Sequence, residues 1–357
     1  MKNIPIVFAI NDSYYGKLAV VVSSILQNSK RSFDFYILTT GISQDALDKL
    51  HYIINKINVQ SNLYLIDPYK FIKEDLEGLM ARRSGYTYIS VETYYRFYIH
   101  KVLPCLDKAI YLDADILVMS DLASLYYTDI KDAYAGVVSD IYIHFICQGD
   151  KKTQTRPELS MSDYMQNVLG VREREYFNAG VLLLNLKKLR DDRVDERLLQ
   201  FARKFAPLEF QDQDALNAVF GSNVVFLDLA WNVIKNAKDV EGGISNIKYR
   251  RDLQAAFLRP KIVHYTGSNK PWCLDVFEYD YLKEWWEIYL DTGFCTDEDR
   301  LRYSKILGTE RFKLYVPFVV LKIGGFELLH IYRENFRYKI VFCGKLVCRK
   351  TIKCNKY

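Results

Sequence analysis

The chain has 357 residues, half of them hydrophobic, and a formal net charge of +5, enough apolar material for one large domain or two smaller ones. Its seven cysteines are odd in number and include no Cys-x-x-Cys pair, which argues against a zinc site and a disulfide framework and fits reduced thiols in a cytosolic setting. No run of about 18 uncharged apolar residues is present, and the start lacks the apolar core of a signal peptide, so neither a spanning helix nor a leader is expected.

Ile4 to Ile10 reads as a strand and Asn11 to Gly16 as a turn-rich loop. Leu18 to Gln27 reads as a buried helix stopped by Asn28-Ser29. A strand over Phe33 to Thr39, a helix over Gln44 to Asn58 and a strand over Ser61 to Ile66 follow. A helix is expected over Val91 to Lys101, before Pro104, and a strand over Ala109 to Leu112. Strands alternating with helices predict an α/β fold with a mostly parallel sheet. Ligands of such sheets sit beyond the carboxyl ends of the strands, where Asn11-Asp12 and Asp113 to Asp115 both fall.

The most informative stretch is Ala109-Ile110-Tyr111-Leu112-Asp113-Ala114-Asp115-Ile116-Leu117-Val118. Side chains alternate along extended backbone, so Asp113 and Asp115 face one side and Ala114 the other. Two such close carboxylates repel unless a proton or cation lies between them. Hard divalent cations take oxygen ligands and often phosphate oxygens as well, which points to a metal–diphosphate site. The plainer reading is a solvated turn or a helix cap, but a turn would not run on into Ile116-Leu117-Val118. A phosphatase of the haloacid dehalogenase type also opens with Asp-x-Asp, but it wants Thr or Val where Leu117 stands.

Further along, Phe177-Asn178-Ala179-Gly180-Val181-Leu182-Leu183-Leu184-Asn185-Leu186 is a strand with Asn178 at its mouth. Gln211-Asp212-Gln213-Asp214 opens a helix, where capping is a fair role for Asp212. Ile262-Val263-His264-Tyr265-Thr266-Gly267-Ser268-Asn269-Lys270-Pro271-Trp272 delivers an imidazole, a Gly turn and an ammonium after an apolar strand. No P-loop, dinucleotide Gly-x-Gly-x-x-Gly or His-Glu-x-x-His motif is present. From Leu301 to Tyr357, thirteen Lys or Arg stand against Glu310, Glu327 and Glu334, while the rest of the chain is mildly acidic. Such a basic, aromatic-rich tail suits an anionic surface; a solvated basic face of a subdomain is the alternative.

Six blocks in order resemble glycosyltransferase family eight: Phe8 to Tyr14, Ser90 to Arg96, Tyr111 to Asp115, Phe177 to Val181, Gln211 to Asp214, and His264 to Gly267 through Lys270-Pro271-Trp272. The resemblance runs from about Ile4 to Trp272. It implies a GT-A fold, a Rossmann-like mostly parallel sheet with flanking helices, over residues 1–275. Residues 276–357 would then be a basic, helical C-terminal extension. Asp113, Asp115 and His264 would hold a divalent cation that grips a diphosphate. An imidazole ligand favours Mn2+, with Mg2+ as the alternative.

By the same resemblance, Lys270 and the backbone at Gly267 add to the clamp, with Ala9 and Ala114 beside the nucleotide. Tyr14 would stack on uracil and Asn11 would bond its edge. Many relatives carry Asp where this chain has Asn11, and Asn where it has Ser13. Arg96, Asp140, Asn178, Asp212 and Gln213 would surround the donor sugar; Asp140 ends the apolar run Val137-Val138-Ser139. The implied activity is transfer of a hexose from UDP-hexose, with retention, to a saccharide or lipid-linked saccharide acceptor. Residues Ile141 to Glu175 would shape acceptor binding. The implied setting is cytoplasmic, at the inner face of the inner membrane through the tail, with no nucleic-acid partner. The rivals are a sugar-1-phosphate nucleotidyltransferase, which wants a Gly-rich basic loop after the first strand, and a sugar-binding protein without turnover.

Overall fold

The structure is a computed structural model that describes residues 2–80, 91–149, 151–234, 247–267, 270–273, 281–310, 317–323, 326–334, 337–342 and 345–351. Ser90, Ser268, Asn269, Cys343 and Cys354 lie outside the described residues. Two compact units are present, Met1–Cys295 and Thr296–Tyr357.

The described strands of the first unit are β1 (Ile4–Ala9), β2 (Phe33–Leu38), β3 (Asn62–Ile66), β4 (Lys108–Leu112), β5 (Ile116–Val118), β6 (Ala135–Ser139), β7 (Phe177–Asn185), β8 (Val224–Phe226), β9 (Val233–Ile234) and β10 (Ile262–His264). Seven of them form one sheet in the order β3-β2-β1-β4-β7-β6-β8. Only β7 runs against its neighbours β4 and β6; the other pairings are parallel. A sheet covered on both faces needs strands that are apolar on both faces. Ile4, Ile6, Val7 and Phe8 of β1 and Ile110, Tyr111 and Leu112 of β4 are accordingly all buried. The helix Tyr15–Gln27 buries ten of its residues, as a helix apolar on nearly every side must. The helix Gln44–Ile57 is amphipathic instead, and the Ser43 hydroxyl starts it by accepting from the Ala46 amide at 3.2 Å, an ordinary N-cap.

The chain leaves β1 outward through β2 and β3 and returns to β4 on the opposite side of β1. That reversal leaves a crevice at the carboxyl ends of β1 and β4. Asn11 follows β1, and Asp113 follows β4. Because β7 is antiparallel and Leu112 pairs with Val181, the amino end of β7, Asn178 to Gly180, arrives at the same edge. A second, three-stranded sheet, β5-β10-β9, pairs Ile116 with His264. Asp113 to Asp115 therefore spans two sheets, and the second brings His264 to it from far along the chain.

The expected helix over Val91–Lys101 is instead a 3-10 helix, Val91–Tyr98, followed by a short α-helix, Ile99–Val102. Eight residues is long for 3-10 geometry, whose hydrogen bonds are poor. Burial of Tyr94, Tyr95, Phe97 and Tyr98 holds it, and Arg96 Nε donates back to the Thr93 carbonyl at 3.2 Å. Among the described residues Cys105, Cys147, Cys273 and Cys295 are free thiols.

The second unit corrects the expected helical extension. It is helical over Asp297–Glu310 and then a four-stranded antiparallel sheet, β11 (Pro317–Ile323), β12 (Phe326–Glu334), β13 (Arg337–Phe342) and β14 (Lys345–Thr351). The physical reason is in the composition: Val319, Val320, Ile331, Tyr332, Tyr338, Ile340 and Val341 are β-branched or aromatic. Gly324-Gly325, Asn335-Phe336 and Cys343-Gly344 separate the strands in sequence by two residues each, the spacing of hairpins.

Candidate active site

Asp113, Asp115 and His264 converge. Among the described residues they are the group whose ligand atoms, one from each, lie within 4.8 Å of one another. His264 Nε2 stands 3.1 Å from Asp115 Oδ1 and 3.8 Å from Asp113 Oδ2. Asp115 Oδ1 is buried and has no hydrogen-bond partner. Leaving a buried carboxylate oxygen bare is costly, so this donor set fits a hard divalent cation. Burial by itself would raise the Asp115 carboxyl, but the Lys270 ammonium and His264 outweigh it and hold it well below the usual range. Lys270 Nζ donates to Asp115 Oδ2 and to the Tyr265 carbonyl. Asp113 is braced from its other side: Oδ1 accepts from Tyr111 Oη at 2.8 Å and from Arg96 Nη2 at 3.0 Å. Arg96 in turn stacks on Tyr111, 4.7 Å from the ring centre, and donates to the Ala179 carbonyl.

A cavity of about 530 Å3 opens in front of this group, and Arg96, Asp140, Asn178, Asp212 and Gln213 all line it. The polar quartet Gln211–Asp214 is explained residue by residue. Gln211 Oε1 accepts from Tyr94 Oη at 3.0 Å. Asp212 Oδ2 is 3.0 Å from Arg96 Nε but receives no hydrogen bond, because that N–H is directed at Thr93. Burial, opposed by Arg96, pushes the Asp212 carboxyl up to about 7. Gln213 is locked, with Oε1 accepting from the Ala179 amide at 3.0 Å and Nε2 donating to Asp140 Oδ2 at 3.1 Å. Asp214 takes the capping role expected of Asp212: it accepts from the Phe210 amide at 2.8 Å and from Tyr164 and Tyr176. Burial raises the Asp140 carboxyl, against hydrogen bonds from Asn178, the Ile143 amide and Gln213.

Of the expected nucleotide residues, Asp113, Asp115 and Gly267 line this cavity, and Lys270 is joined to it through Asp115. Gly267 lines it and has φ +81, a backbone state glycine adopts freely. Tyr14 meets Trp272 edge-on at 5.9 Å; burial and the Asp115 carboxylate raise its hydroxyl pKa. Asn11 Oδ1 already accepts from the Ser13 amide and hydroxyl, at 3.2 and 2.7 Å. Its side chain thus starts the short turn Asp12–Tyr14. Ala114 is buried in the apolar core, which limits its contribution to backbone. Ala9 packs against the other core cluster.

Four residues of the site carried no assigned role in the sequence: Tyr111, Gly180, Asn232 and Thr266. The Thr266 hydroxyl is buried without a partner and lines the cavity. At Gly180 an added Cβ would lie 2.2 Å from His264 Cε1 and 2.8 Å from Asp113 Oδ2. Gly180→Ala is therefore expected to push the imidazole off its position. Calorimetry should show Mn2+ affinity lowered on the order of 10- to 100-fold, with a stability loss of about 1–3 kcal/mol. Unaltered affinity would mean that the ring does not need this position.

The chain matches the model of glycosyl transferase family 8 over residues 5–275, and it belongs to that family. The lipopolysaccharide 1,2-glucosyltransferase of Escherichia coli is 26% identical over 318 residues, covering 85% of this chain and 86% of that protein. In fold, the galactosyltransferase LgtC, solved with donor and acceptor sugar analogues, superposes with a TM-score of 0.67 at 24% identity, over 84% of this chain and all of its own. The apo bifunctional glycosyltransferase WbbM gives 0.72 at 23% identity; the match covers 85% of this chain and 51% of that one. The fold is thus GT-A, and the chain is a glycosyltransferase by family.

Proposed function

We propose that the protein transfers a hexose, glucose or galactose, from UDP-hexose to a saccharide of lipopolysaccharide or another surface glycan, with retention of anomeric configuration. The observation that carries this reading is a single cavity holding both the Asp113–Asp115–His264 trio and the Arg96–Asp140–Asn178–Asp212–Gln213 cluster. The trio would hold a divalent cation, Mn2+ in preference to Mg2+ given the imidazole. Bound there, the cation would act as a Lewis acid on the departing diphosphate. Lys270 adds a positive charge at the same end. The Escherichia coli relative, named for 1,2-glucosyl transfer to lipopolysaccharide, supports the acceptor class.

Retention requires either a nucleophile beneath the anomeric carbon or departure and attack on one face. Gln213 is neutral and both ends of its amide are engaged, so it makes a poor nucleophile. Asp212 is paired with Arg96, which already engages its charge. The reading is therefore same-face substitution. The bond from the anomeric carbon to the UDP oxygen breaks as the bond to the acceptor oxygen forms. The acceptor proton passes to the leaving phosphate oxygen. Meanwhile Asp140, Asn178 and Asp212 hold the sugar through its hydroxyls, and Asp212 Oδ2 has a free lone pair for one of them.

The test is UDP release and product analysis across a panel of UDP-hexoses with Mn2+. Turnover with UDP-glucose or UDP-galactose to an α-linked product is expected. An inverted product would overturn retention, and a glycosyl adduct trapped on Asp212 would overturn the same-face route. No turnover with any UDP-hexose would favour a sugar-binding protein. Against the nucleotidyltransferase reading, the segment after β1 is the 3-10 turn Asp12–Tyr14, not a Gly-rich basic loop.

No helix among the described residues is long and apolar enough to cross a membrane. The basic segment from Leu301 onward is proposed to dock on anionic lipid at the cytoplasmic face. Co-sedimentation with anionic vesicles should fall when residues 311–357 are removed; equal binding by the shortened protein would count against docking.

A further inference from the structure

The metal-ligand candidate His264 is not free to choose its tautomer. Its Nδ1 lies 2.9 Å from Asn232 Oδ1, and Asn232 is buried at the end of the 3-10 helix Leu229–Asn232. An Asn amide can be read in either direction until the network around it is traced. Here the tracing starts from a backbone group whose direction is certain. The Gly180 amide can only donate, and it donates to Asn178 Oδ1 at 3.0 Å. Asn178 Nδ2 then donates to Asp140 Oδ2 at 3.1 Å. With its oxygen so placed, Asn178 can only accept from Asn232, whose Nδ2 stands 2.9 Å from it. Asn232 must therefore turn its own oxygen to His264. That oxygen can only accept, so Nδ1 carries the proton and the neutral ring keeps its lone pair on Nε2. Nε2 is the nitrogen that faces Asp115 and Asp113.

We infer that Asn232, oriented by Asn178, is a positioning residue that holds His264 in the Nδ1–H tautomer and so presents the Nε2 lone pair to a divalent cation. The geometry is that of an outer-shell partner, which fixes both the tautomer and the ring orientation of a ligating His. Free imidazole in water does not need this form, and a merely space-filling Asn would not impose it. The chain Asp140–Asn178–Asn232–His264 also joins an acid assigned to the sugar with a ligand assigned to the cation. One buried network thereby sets both ends of the site. The inference rests on the cation reading of the trio given above.

The test is the ring 15N spectrum of the metal-free, full-length protein labelled at histidine, recorded above the usual histidine titration range. The sequence has five histidines, and His264 is identified as the ring lost in His264→Gln. A proton on Nδ1 is expected. A ring with Nδ1 bare and its proton on Nε2 overturns the inference, and this outcome needs no variant at Asn232. Asn232→Leu should release the tautomer and weaken Mn2+ binding on the order of 10- to 100-fold by calorimetry. If Asn232→Leu folds with tautomer and affinity unchanged, the positioning role fails. If the wild-type protein shows the expected tautomer but binds no divalent cation, the cation reading fails and the orientation of His264 by Asn232 stands.

Discussion

Asp113→Asn is expected to slow hexosyl transfer by roughly 100- to 1,000-fold, a loss of about 3–4 kcal/mol of transition-state stabilisation, the usual size of one removed electrostatic group. The two oxygens of Asp113 have different work. Oδ1 accepts from Tyr111 Oη and Arg96 Nη2, whereas Oδ2 faces His264. An asparagine of the same shape would keep its oxygen where those two donors already point. Its NH2 would then occupy the place of Oδ2, and an amide nitrogen is not a ligand for a hard cation. The fold should tolerate the change, since both donors stay satisfied. The checks are initial rates of UDP release under saturating donor, Mn2+ calorimetry, and thermal unfolding. Full transfer by this variant would sink the assignment of Asp113 to the cation.

Arg96→Met is expected to be the most destabilising single change in the site, by about 3–5 kcal/mol, because removing one partner leaves buried acids uncompensated. Arg96 is the cation between Asp113 and Asp212, and it is nearly buried, with 9% of its side chain exposed. Methionine keeps much of the aliphatic packing over Tyr111 and none of the charge. The effect should depend on pH in a defined direction. Burial raises the Asp212 carboxyl above its unfolded value, and Arg96 opposes that rise. A carboxyl raised on folding favours the folded state when protonated; that favour fades as pH climbs through the folded pKa. Without Arg96 the raised value goes higher still, so the deficit of the variant relative to wild type should open as pH climbs through about 7 and be larger at pH 8 than at pH 5. Chemical denaturation at the two pH values measures it. A deficit that is flat or shrinks as pH rises would show that Arg96 is not what keeps the acid pair charged. Transfer should be lost as well, since Arg96 also fixes Asp113 and the Ala179 carbonyl.

The parts of the fold that could be read along the chain are those set by local pattern. β1 and β4 are apolar runs, and a strand buried on both faces can be little else. Asp113 and Asp115 both line the cavity while Ala114 goes to the core, although Ala114 and Asp115 form a bend between β4 and β5 rather than the extended backbone the two-residue spacing predicts. The four-stranded end of the chain was legible too, in its β-branched residues and two-residue steps, but its basic and aromatic content suggested an amphipathic helix instead. The 3-10 geometry of Val91–Tyr98 was not legible, because buried tyrosines and the turn of Arg96 onto Thr93 select it.

The chain by itself determined the strand runs, the paired acids and the family blocks, since each depends on residue type and near spacing. Tertiary structure alone decided the partners: β7 placing Gly180 beneath His264, β10 paired to β5 so that His264 meets Asp115, and Asn232 set against the far side of the imidazole. Sheet register and strand direction make those contacts, and they join residues tens of positions apart that no local periodicity links.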